Sequence, residues 1–417
     1  MNGFWKYLVQ ACVGFVKNLL FTIAGVLIVV AVCWLYWRPV TLPNQADVEG
    51  TIRIEGDSML SYLSGGAYRE TCPHCGYRGL FSREGAGVCP NCRWVTPEKV
   101  RWTEDFGKAV QREQVFDEVT VEPSQKREVE SNGASEGSPP WQLDDCVCFT
   151  DAEHGVCVKR VAACPGDTLE IRDGQRFVNG QRPLRSFETL RQVRILVHDD
   201  RFRPDGVSRW VKSTSETETL WEYHHAEGRL TATGNGSRCE YVPAVVTNVL
   251  AQNGTQMRSD QIFQMAELML ECTLKYTDGE GELRVILPTT QFTVSAEQLR
   301  ERPSARWCFS TLDGTPRVWR DGELLEVPTS AVQVECPQVA VSRTLNVLAT
   351  DRVLFRDEYL LLPGGSQGES LKIDCGEGWF LLGDNTLASR DSRYWGPVKL
   401  TSQNAWKVRK VSTPASE

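Results

Sequence analysis

The sequence has few histidines, no surplus of basic residues and only one long apolar run. Lysine and arginine total 46 against 54 aspartates and glutamates, and the net charge of −8 excludes a uniformly basic nucleic-acid-binding protein. With one long apolar run, the chain cannot be a multi-pass membrane protein, and 41% hydrophobic residues exclude wholesale disorder. At roughly 150 residues per domain, the length fits two or three domains.

The apolar run covers residues 19–37 and reads LLFTIAGVLIVVAVCWLYW, with no charged residue. A helix of this length, at about 1.5 Å per residue, comes close to the ~30 Å thickness of the hydrocarbon core. Aromatic residues at its end fit an interfacial belt. A cleavable signal peptide is the competing interpretation, but Trp-Arg-Pro follows the run where a small-x-small cleavage site is needed. We therefore predict a single transmembrane helix that anchors the chain in the lipid bilayer.

The charges that flank this run predict its orientation. Lys6 and Lys17 precede it, whereas only Arg38 follows closely. The positive-inside rule then places the N-terminus in the cytoplasm and the rest of the chain outside it, at the plasma (inner) membrane.

Four of the fifteen cysteines form two Cys-x-x-Cys pairs, Cys72-Pro-His-Cys75 and Cys89-Pro-Asn-Cys92, separated by 13 residues. This spacing is typical of a structural zinc ribbon, in which four thiolates bind one ion. Two disulfides are the alternative, because the predicted location is oxidising. A Cys-x-x-Cys disulfide closes a small strained loop, which favours zinc. No cofactor is predicted for catalysis.

Three separated segments carry residues that a hydrolase needs: Ile54-Glu-Gly-Asp-Ser-Met59, Val158–Asp167 and Gly378–Gly396. The first is a strand that runs into a turn exposing Ser58. A serine hydroxyl is a poor nucleophile unless a base removes its proton, and the five histidines lie in no Ser-His-Asp context. Lys159, on an apolar strand, can act as that base if burial lowers the pKa of its amine.

Together, and in this order behind an anchor, these segments resemble the type I signal peptidases, the membrane-bound Ser-Lys leader peptidases. The resemblance implies a serine endopeptidase that cleaves signal peptides from exported preproteins after small residues, through an acyl-enzyme. Ser58 would be its nucleophile and Lys159 its general base. Ser389 would hydrogen-bond the lysine, and Asp391 and Arg393 would form a supporting charged pair.

The resemblance also implies how the transition state and the substrate are bound. The Ser58 N–H would donate to the oxyanion, while Gly56 stands where the family has its second donor, so that donor must be main chain or come from elsewhere. A preprotein segment would add as an edge strand. Shallow pockets for its small side chains, or equally a portion of a β core, would be formed by Ile54, Met59, Leu63 and Val158.

The predicted fold class is mainly β. Recurring short strands and turns such as Asp173-Gly174 and Asp313-Gly314 indicate a signal-peptidase-like β core with a zinc-ribbon insertion and a concanavalin- or jelly-roll-like β-sandwich insertion. The sandwich is a spacer or binds a protein or glycan ligand. The predicted division is 1–38 cytoplasmic N-terminus and anchor, 39–65 first core segment, 66–95 zinc ribbon, 96–140 flexible linker, 141–184 second core segment, 185–346 β-sandwich and 347–417 third core segment.

Departures from the family pattern leave a second hypothesis open. Met59-Leu-Ser-Tyr62 lacks the proline that follows the family nucleophile, and Gly383-Asp-Asn-Thr-Leu-Ala-Ser389 differs in its middle. The alternative is a degenerate homologue that serves as a membrane-anchored binding or scaffold protein. A self-cleaving Ser-Lys repressor is disfavoured, because those proteins lack this anchor and carry a DNA-binding helical domain.

Overall fold

The computed structural model describes residues 50–56, 58–60, 62–81, 89–92, 94, 113–123, 141–151, 155–203, 209–212, 220–224, 229–233, 238–241, 264–341, 345–357, 360, 362, 369–386, 389–401 and 403–410. The predicted anchor over residues 19–37 lies outside them. Across the described ranges no helix is long and apolar enough to cross a bilayer. The described residues are mainly in β-strands, which confirms the predicted fold class at that level.

Numbered along the described chain, the strands are β1 (Gly50–Arg53), β2 (Gly65–Thr71), β3 (Arg78–Phe81), β4 (Glu113–Phe116), β5 (Glu118–Pro123), β6 (Cys146–Asp151), β7 (Gly155–Ala163), β8 (Thr168–Arg172), β9 (Gln175–Val178), β10 (Ile195–Asp199), β11 (Trp210–Lys212), β12 (Leu220–His224), β13 (Arg229–Thr233), β14 (Arg238–Tyr241), β15 (Leu268–Asp278), β16 (Glu282–Leu287), β17 (Thr290–Ser295), β18 (Ser304–Ser310), β19 (Arg317–Arg320), β20 (Glu323–Leu325), β21 (Thr329–Ala331), β22 (Gln338–Val341), β23 (Asn346–Arg356), β24 (Ser370–Asp374), β25 (Phe380–Leu382) and β26 (Ala405–Lys410). The helices are α1 (Phe187–Val193), α2 (Ala296–Glu301) and α3 (Ser392–Trp395), with a 3-10 turn at Leu312–Gly314.

A six-stranded antiparallel sheet carries all three predicted catalytic segments or their flanks. Its spatial order is β1-β5-β26-β6-β7-β25. The alternation of side chains along β6 divides its residues between two hydrophobic clusters, because successive side chains of a strand point to opposite faces. Cys146 and Cys148 pack in one cluster, and Val147 and Phe149 pack in the other. The sheet is therefore buried on both faces at β6.

The segment 96–140, predicted to be a linker, contributes a strand to this sheet. β5 lies between β1 and β26, with Val121 paired to Gly50 on one side and to Val408 on the other. Val119 and Val121 are buried, at alternate positions of a charged stretch. The linker prediction is wrong for residues 113–123, because period-2 alternation of valine with polar residues is the pattern of a half-buried strand.

The tight turn predicted at Asp173-Gly174, after the segment that carries Lys159, is confirmed. β8 and β9 pair in antiparallel register across Asp173 and Gly174, which both have a positive φ, of 50° and 70°. This is the backbone of the tight turns that Asp-Gly pairs favour. β24, from the C-terminal region of the chain, completes a three-stranded sheet with this hairpin.

The large insertion is a sandwich of an eight-stranded and a six-stranded sheet that share one hydrophobic core. Across it, the rings of Phe292 on β17 and Phe309 on β18 lie 5.7 Å apart. β23 pairs with β10, β13 and β15, so the insertion runs to Arg356 and not to 346 as predicted. Helix α1 covers the other face of the eight-stranded sheet, where Leu190 packs in a cluster with Met269.

Helix α1 directly precedes strand β10. The Ser186 hydroxyl accepts a hydrogen bond from the Thr189 N–H and caps the helix N-terminus. The helix ends at Val193, and after the extended residue Arg194 the strand begins at Ile195.

Candidate active site and metal centre

The turn that carries Ser58 is closed by glycines. Gly56 has a φ of 85°, and its N–H donates to the Gly65 carbonyl at 2.9 Å. A Cβ on Gly65 would lie 2.1 Å from the Gly56 oxygen, so only glycine fits there. The N–H groups of Tyr62 and Leu63 both donate to the Met59 carbonyl. These bonds fix the backbone on either side of a half-buried Ser58.

Lys159 reaches Ser58 across 101 residues of sequence. The Lys159 Nζ lies 2.9 Å from the Ser58 Oγ, within hydrogen-bond distance. Lys159 is 4% exposed, and its burial lowers the pKa of the amine. An amine that gives up its proton more readily, at this distance from a hydroxyl, can accept the hydroxyl proton.

The C-terminal segment is hydrogen-bonded to the backbone of Ser58. The Asn385 N–H donates to the Ser58 carbonyl at 3.0 Å, and the Ser389 N–H donates to the Asn385 carbonyl at 3.0 Å. Gly383 lies so close that a Cβ on it would be 2.5 Å from the Ser58 carbonyl oxygen. All three predicted segments therefore meet at Ser58.

The expected bond between Ser389 and Lys159 is not formed. The Ser389 hydroxyl is buried and has no hydrogen-bond partner among the described residues. It packs instead against Gly383, where a Cβ would lie 2.2 Å from the Ser389 Oγ. Ser389 thus adjoins the site through its backbone and its packing.

Asp391 and Arg393 do form a buried pair. The Arg393 Nε and Nη2 donate to the two carboxylate oxygens at 2.8 and 2.7 Å. The same carboxylate accepts from the Gly383 N–H at 3.0 Å and caps helix α3. The pair therefore holds the turn that contacts the Ser58 backbone.

A second buried ion pair lies next to the lysine and was not anticipated from sequence. Arg160 donates to both oxygens of Asp384, at 2.8 and 2.7 Å, and both side chains are almost fully buried. It also donates to the Asp144 carbonyl. The sequence does contain a signal for this ion pair: one charged residue follows Lys159 and another lies inside the Gly383–Asn385 turn, each within an apolar segment. This pair joins the lysine strand to the C-terminal segment.

Three of the four predicted substrate-binding residues are core residues. Ile54, Met59 and Leu63 are at most 5% exposed and pack in one hydrophobic cluster. Of the two alternatives, substrate pocket or β core, the burial of these three side chains supports the core. Val158 is half-buried and packs against the same cluster.

The strand that carries Lys159 has an open edge beside it. β6 pairs with β7 over residues 155–160, whereas β25 pairs with it only from Arg160 to Ala163. On that outer side, residues 155–159 have no strand partner within the described ranges, and Val156 is exposed. An extended peptide can add to such an edge by main-chain hydrogen bonds.

We expect the substitution Gly383→Ala to impair the site by steric displacement. The new methyl group would overlap the Ser58 carbonyl oxygen and the Ser389 Oγ, and the backbone oxygen cannot rotate away. Overpacking of this kind costs about 1–3 kcal/mol of stability. Chemical denaturation measures that loss. Ser330→Ala is the control, because Ser330 is exposed on β21 of the insertion. Equal stability of the Gly383→Ala and wild-type chains would contradict this packing.

The four predicted ligand cysteines form one cluster. The Sγ atoms of Cys72, Cys75, Cys89 and Cys92 all lie within 4.8 Å of one another. Cys72 and Cys92 are 3.6 Å apart at sulfur and Cys75 and Cys89 are 3.8 Å apart, too far for a disulfide at about 2.05 Å. Four thiolates around an ion with bonds of about 2.3 Å would stand at about this separation. The cluster could hold a metal ion, and the disulfide alternative is not formed.

The cysteine cluster packs on the β-sandwich insertion. The Asn91 Nδ2 lies 3.6 Å from the Cys75 Sγ and donates to the Phe202 carbonyl at 2.6 Å, while its Oδ1 accepts from the Asp199 N–H. The ring of Tyr77 meets that of Phe202 edge-on. Strand β2 connects Cys72 back to the Ser58 turn. The cluster therefore joins the insertion to the segment that carries Ser58.

We expect Asn91→Ala to weaken metal binding at the cysteine cluster by about 10- to 100-fold, the usual effect of removing a group that hydrogen-bonds a metal ligand. Competition with a chromophoric chelator measures the affinity. Gln333→Ala is the matched control, since Gln333 is an exposed amide in the insertion. Unchanged affinity in the Asn91 variant would show that the amide does not support the site.

Comparison with known proteins gives no family for the chain. No protein-family model matches it, and no curated protein matches it. Among solved structures it is similar to a Bacillus licheniformis β-glucanase, at 7% identity and a TM-score of 0.22 over 36% of this chain and 92% of that one. It is also similar to a Bacillus subtilis carbohydrate-binding module (9%, TM-score 0.21, 36% and 94%) and a Trypanosoma rangeli sialidase (12%, TM-score 0.22, 37% and 31%). Likenesses this low carry no argument about function.

Proposed function

We propose that this protein is a membrane-anchored serine endopeptidase of the signal-peptidase type, which cleaves signal peptides from exported preproteins after small residues. The observation that carries the proposal is the 2.9 Å contact between the Ser58 Oγ and a buried Lys159 Nζ. The apolar run over residues 19–37 supports the anchor, and the open edge of β7 supports an extended polypeptide substrate.

Ser58 and Lys159 would catalyse hydrolysis in two steps, acylation and deacylation. The Ser58 oxygen attacks the scissile carbonyl carbon while Lys159 takes the hydroxyl proton, and the resulting ammonium gives this proton to the leaving amine nitrogen as the C–N bond breaks. Water then attacks the acyl carbon and gives a proton to Lys159, which returns it to the departing Ser58 oxygen. Lys159 ends each cycle as a neutral amine.

The oxyanion would be stabilised by the Ser58 N–H. The Gly56 N–H cannot serve as second donor in this conformation, because it is bonded to the Gly65 carbonyl. One missing donor costs about 10²–10³-fold in rate, so the enzyme would be slower than one with a complete pair.

Zinc is the ion that we assign to the cysteine cluster. Four thiolates with no open ligand position match structural zinc, which needs no water or substrate. Its role would be to hold the two Cys-x-x-Cys pairs against the insertion, and the catalytic steps would not involve it.

The test is cleavage of a signal-peptide-bearing preprotein by the full chain in detergent, with the cut mapped by mass spectrometry. We expect a single cut after a small residue. Ser58→Ala should abolish cleavage, and the control Ser330→Ala should not, since Ser330 lies on an exposed strand of the insertion. Cleavage that persists in the Ser58 variant would reject the proposal.

A non-catalytic, membrane-anchored binding protein is the second candidate. It is favoured by the engaged Gly56 N–H and by the Ser389 hydroxyl, which has no hydrogen-bond partner among the described residues. Such a protein would retain a signal-peptide-bearing preprotein on a column without cutting it. Turnover in the cleavage assay eliminates this candidate.

A further inference from the structure

Asp117 lies between β4 and β5, in the segment that sequence analysis assigned to a linker. It is 3% exposed. The strands on its two sides belong to different sheets: β4 pairs with β2, and β5 pairs with β1 and β26. Asp117 therefore lies where the six-stranded sheet that carries Lys159 meets the sheet of β2, the strand that leads to Cys72.

Asp117 makes three hydrogen bonds to the two ends of the segment that carries Ser58. Its carbonyl accepts from the Ile54 N–H at 2.9 Å, before the turn. After the turn, its N–H donates to the Ser64 carbonyl at 2.8 Å, and its Oδ2 accepts from the Ser64 N–H at 2.8 Å. One residue thus holds both ends of segment 54–64.

The side chain of Asp117 contributes one bond that the backbone cannot supply. The two backbone bonds can form with any residue except proline at this position, whereas the Ser64 N–H needs an acceptor on the side chain. The other carboxylate oxygen, Oδ1, is buried without a hydrogen-bond partner among the described residues. A buried polar atom left unpaired costs free energy, so this carboxylate is retained at a cost to stability.

We propose that Asp117 is a positioning residue for Ser58, and this inference rests on the proposed function. It acts through Ser64: the bond to the Ser64 N–H fixes the end of the turn, and the turn fixes the Ser58 hydroxyl at 2.9 Å from the Lys159 amine. A nucleophile that shifts by about 1 Å can lose about 10²-fold in rate.

The experiment compares Asp117→Ala and Asp117→Asn in the full chain. Alanine removes the acceptor, and kcat for preprotein cleavage should fall about 10²-fold with KM within about twofold. Asparagine keeps an oxygen for the Ser64 N–H and should restore kcat to within about tenfold of wild type. Asp321→Ala is the matched control, because Asp321 also accepts a backbone N–H, that of Arg306, but lies in the insertion.

Hydrogen exchange provides a readout that does not need activity. In Asp117→Ala the Ser64 amide should exchange faster, while the Val161 amide, which donates to Asp145, should keep its protection. If the wild-type chain cleaves nothing, the proposed function fails, and exchange at Ser64 still decides whether the Asp117 side chain holds the end of the Ser58 turn. Unchanged exchange at Ser64, an unchanged kcat in the alanine variant, or an asparagine variant as slow as alanine would overturn the inference.

Discussion

Replacement of Lys159 by methionine should lower kcat for preprotein cleavage by about 10³-fold or more, because a positioned general base contributes about 10²–10⁴-fold and no other amine contacts the Ser58 Oγ among the described residues. Methionine fills a similar volume in the buried site, so the loss reports the amine and not a cavity. Lys399→Met is the matched control, since Lys399 is an exposed lysine paired with Glu377. Activity that survives in the Lys159 variant would contradict the assigned base.

The same substitution should raise the free energy of unfolding at neutral pH. Burial makes the folded-state pKa of Lys159 lower than its unfolded value, so between these two pKa values the unfolded chain binds more protons, and the wild type gains stability as the pH rises. Methionine does not titrate, so it adds no pH dependence of this kind. The difference in the free energy of unfolding between Lys159→Met and the wild type should be largest below the folded-state pKa of Lys159 and should shrink as the pH approaches about 10.4. Chemical denaturation at several pH values measures this difference.

Asp384→Ala should cause the largest loss of stability, about 3–5 kcal/mol, because it leaves the Arg160 guanidinium buried without its partner. The control is Glu377→Ala, which breaks the exposed pair with Lys399 and should leave the unfolding midpoint unchanged. The double variant Arg160→Met/Asp384→Ala should recover much of the loss, since apolar replacement of a buried pair is often close to neutral. Equal destabilisation by the Asp384 and Glu377 variants would show that the buried pair is not intact.

The resemblance of three segments to a known family led to the expectation that Ser58 and Lys159 would meet, whereas the spacing of the Cys-x-x-Cys pairs by itself predicted the cysteine cluster. Two Cys-x-x-Cys pairs are local patterns with few physical alternatives. Asp-Gly turns predicted the hairpin after the lysine strand for the same reason, since few residues adopt a positive φ.

Long-range contacts between ordinary residues could not be predicted. Nothing near Asp117 in the sequence shows that its neighbours in space are Ile54 and Ser64, or that β5 will pair with β26 at the far end of the chain. The hydrogen bonds of the Asn91 side chain could not be predicted either, because the backbone groups that it bonds to lie in the insertion. Apolar residues such as Met59 fit a core and a substrate pocket equally well by composition, and only their burial decides between them.

Acylation of Ser58 is the most direct test of the paired hydroxyl and amine. A strained β-lactam is mixed with the full chain: the serine oxygen bonds to the lactam carbonyl carbon, the ring C–N bond breaks, and the nitrogen takes the proton that Lys159 removed. Peptide mapping by mass spectrometry should find the adduct on Ser58 in the wild type and its near absence in Lys159→Met. An adduct that forms equally fast in both chains, or on a different residue, would contradict the account.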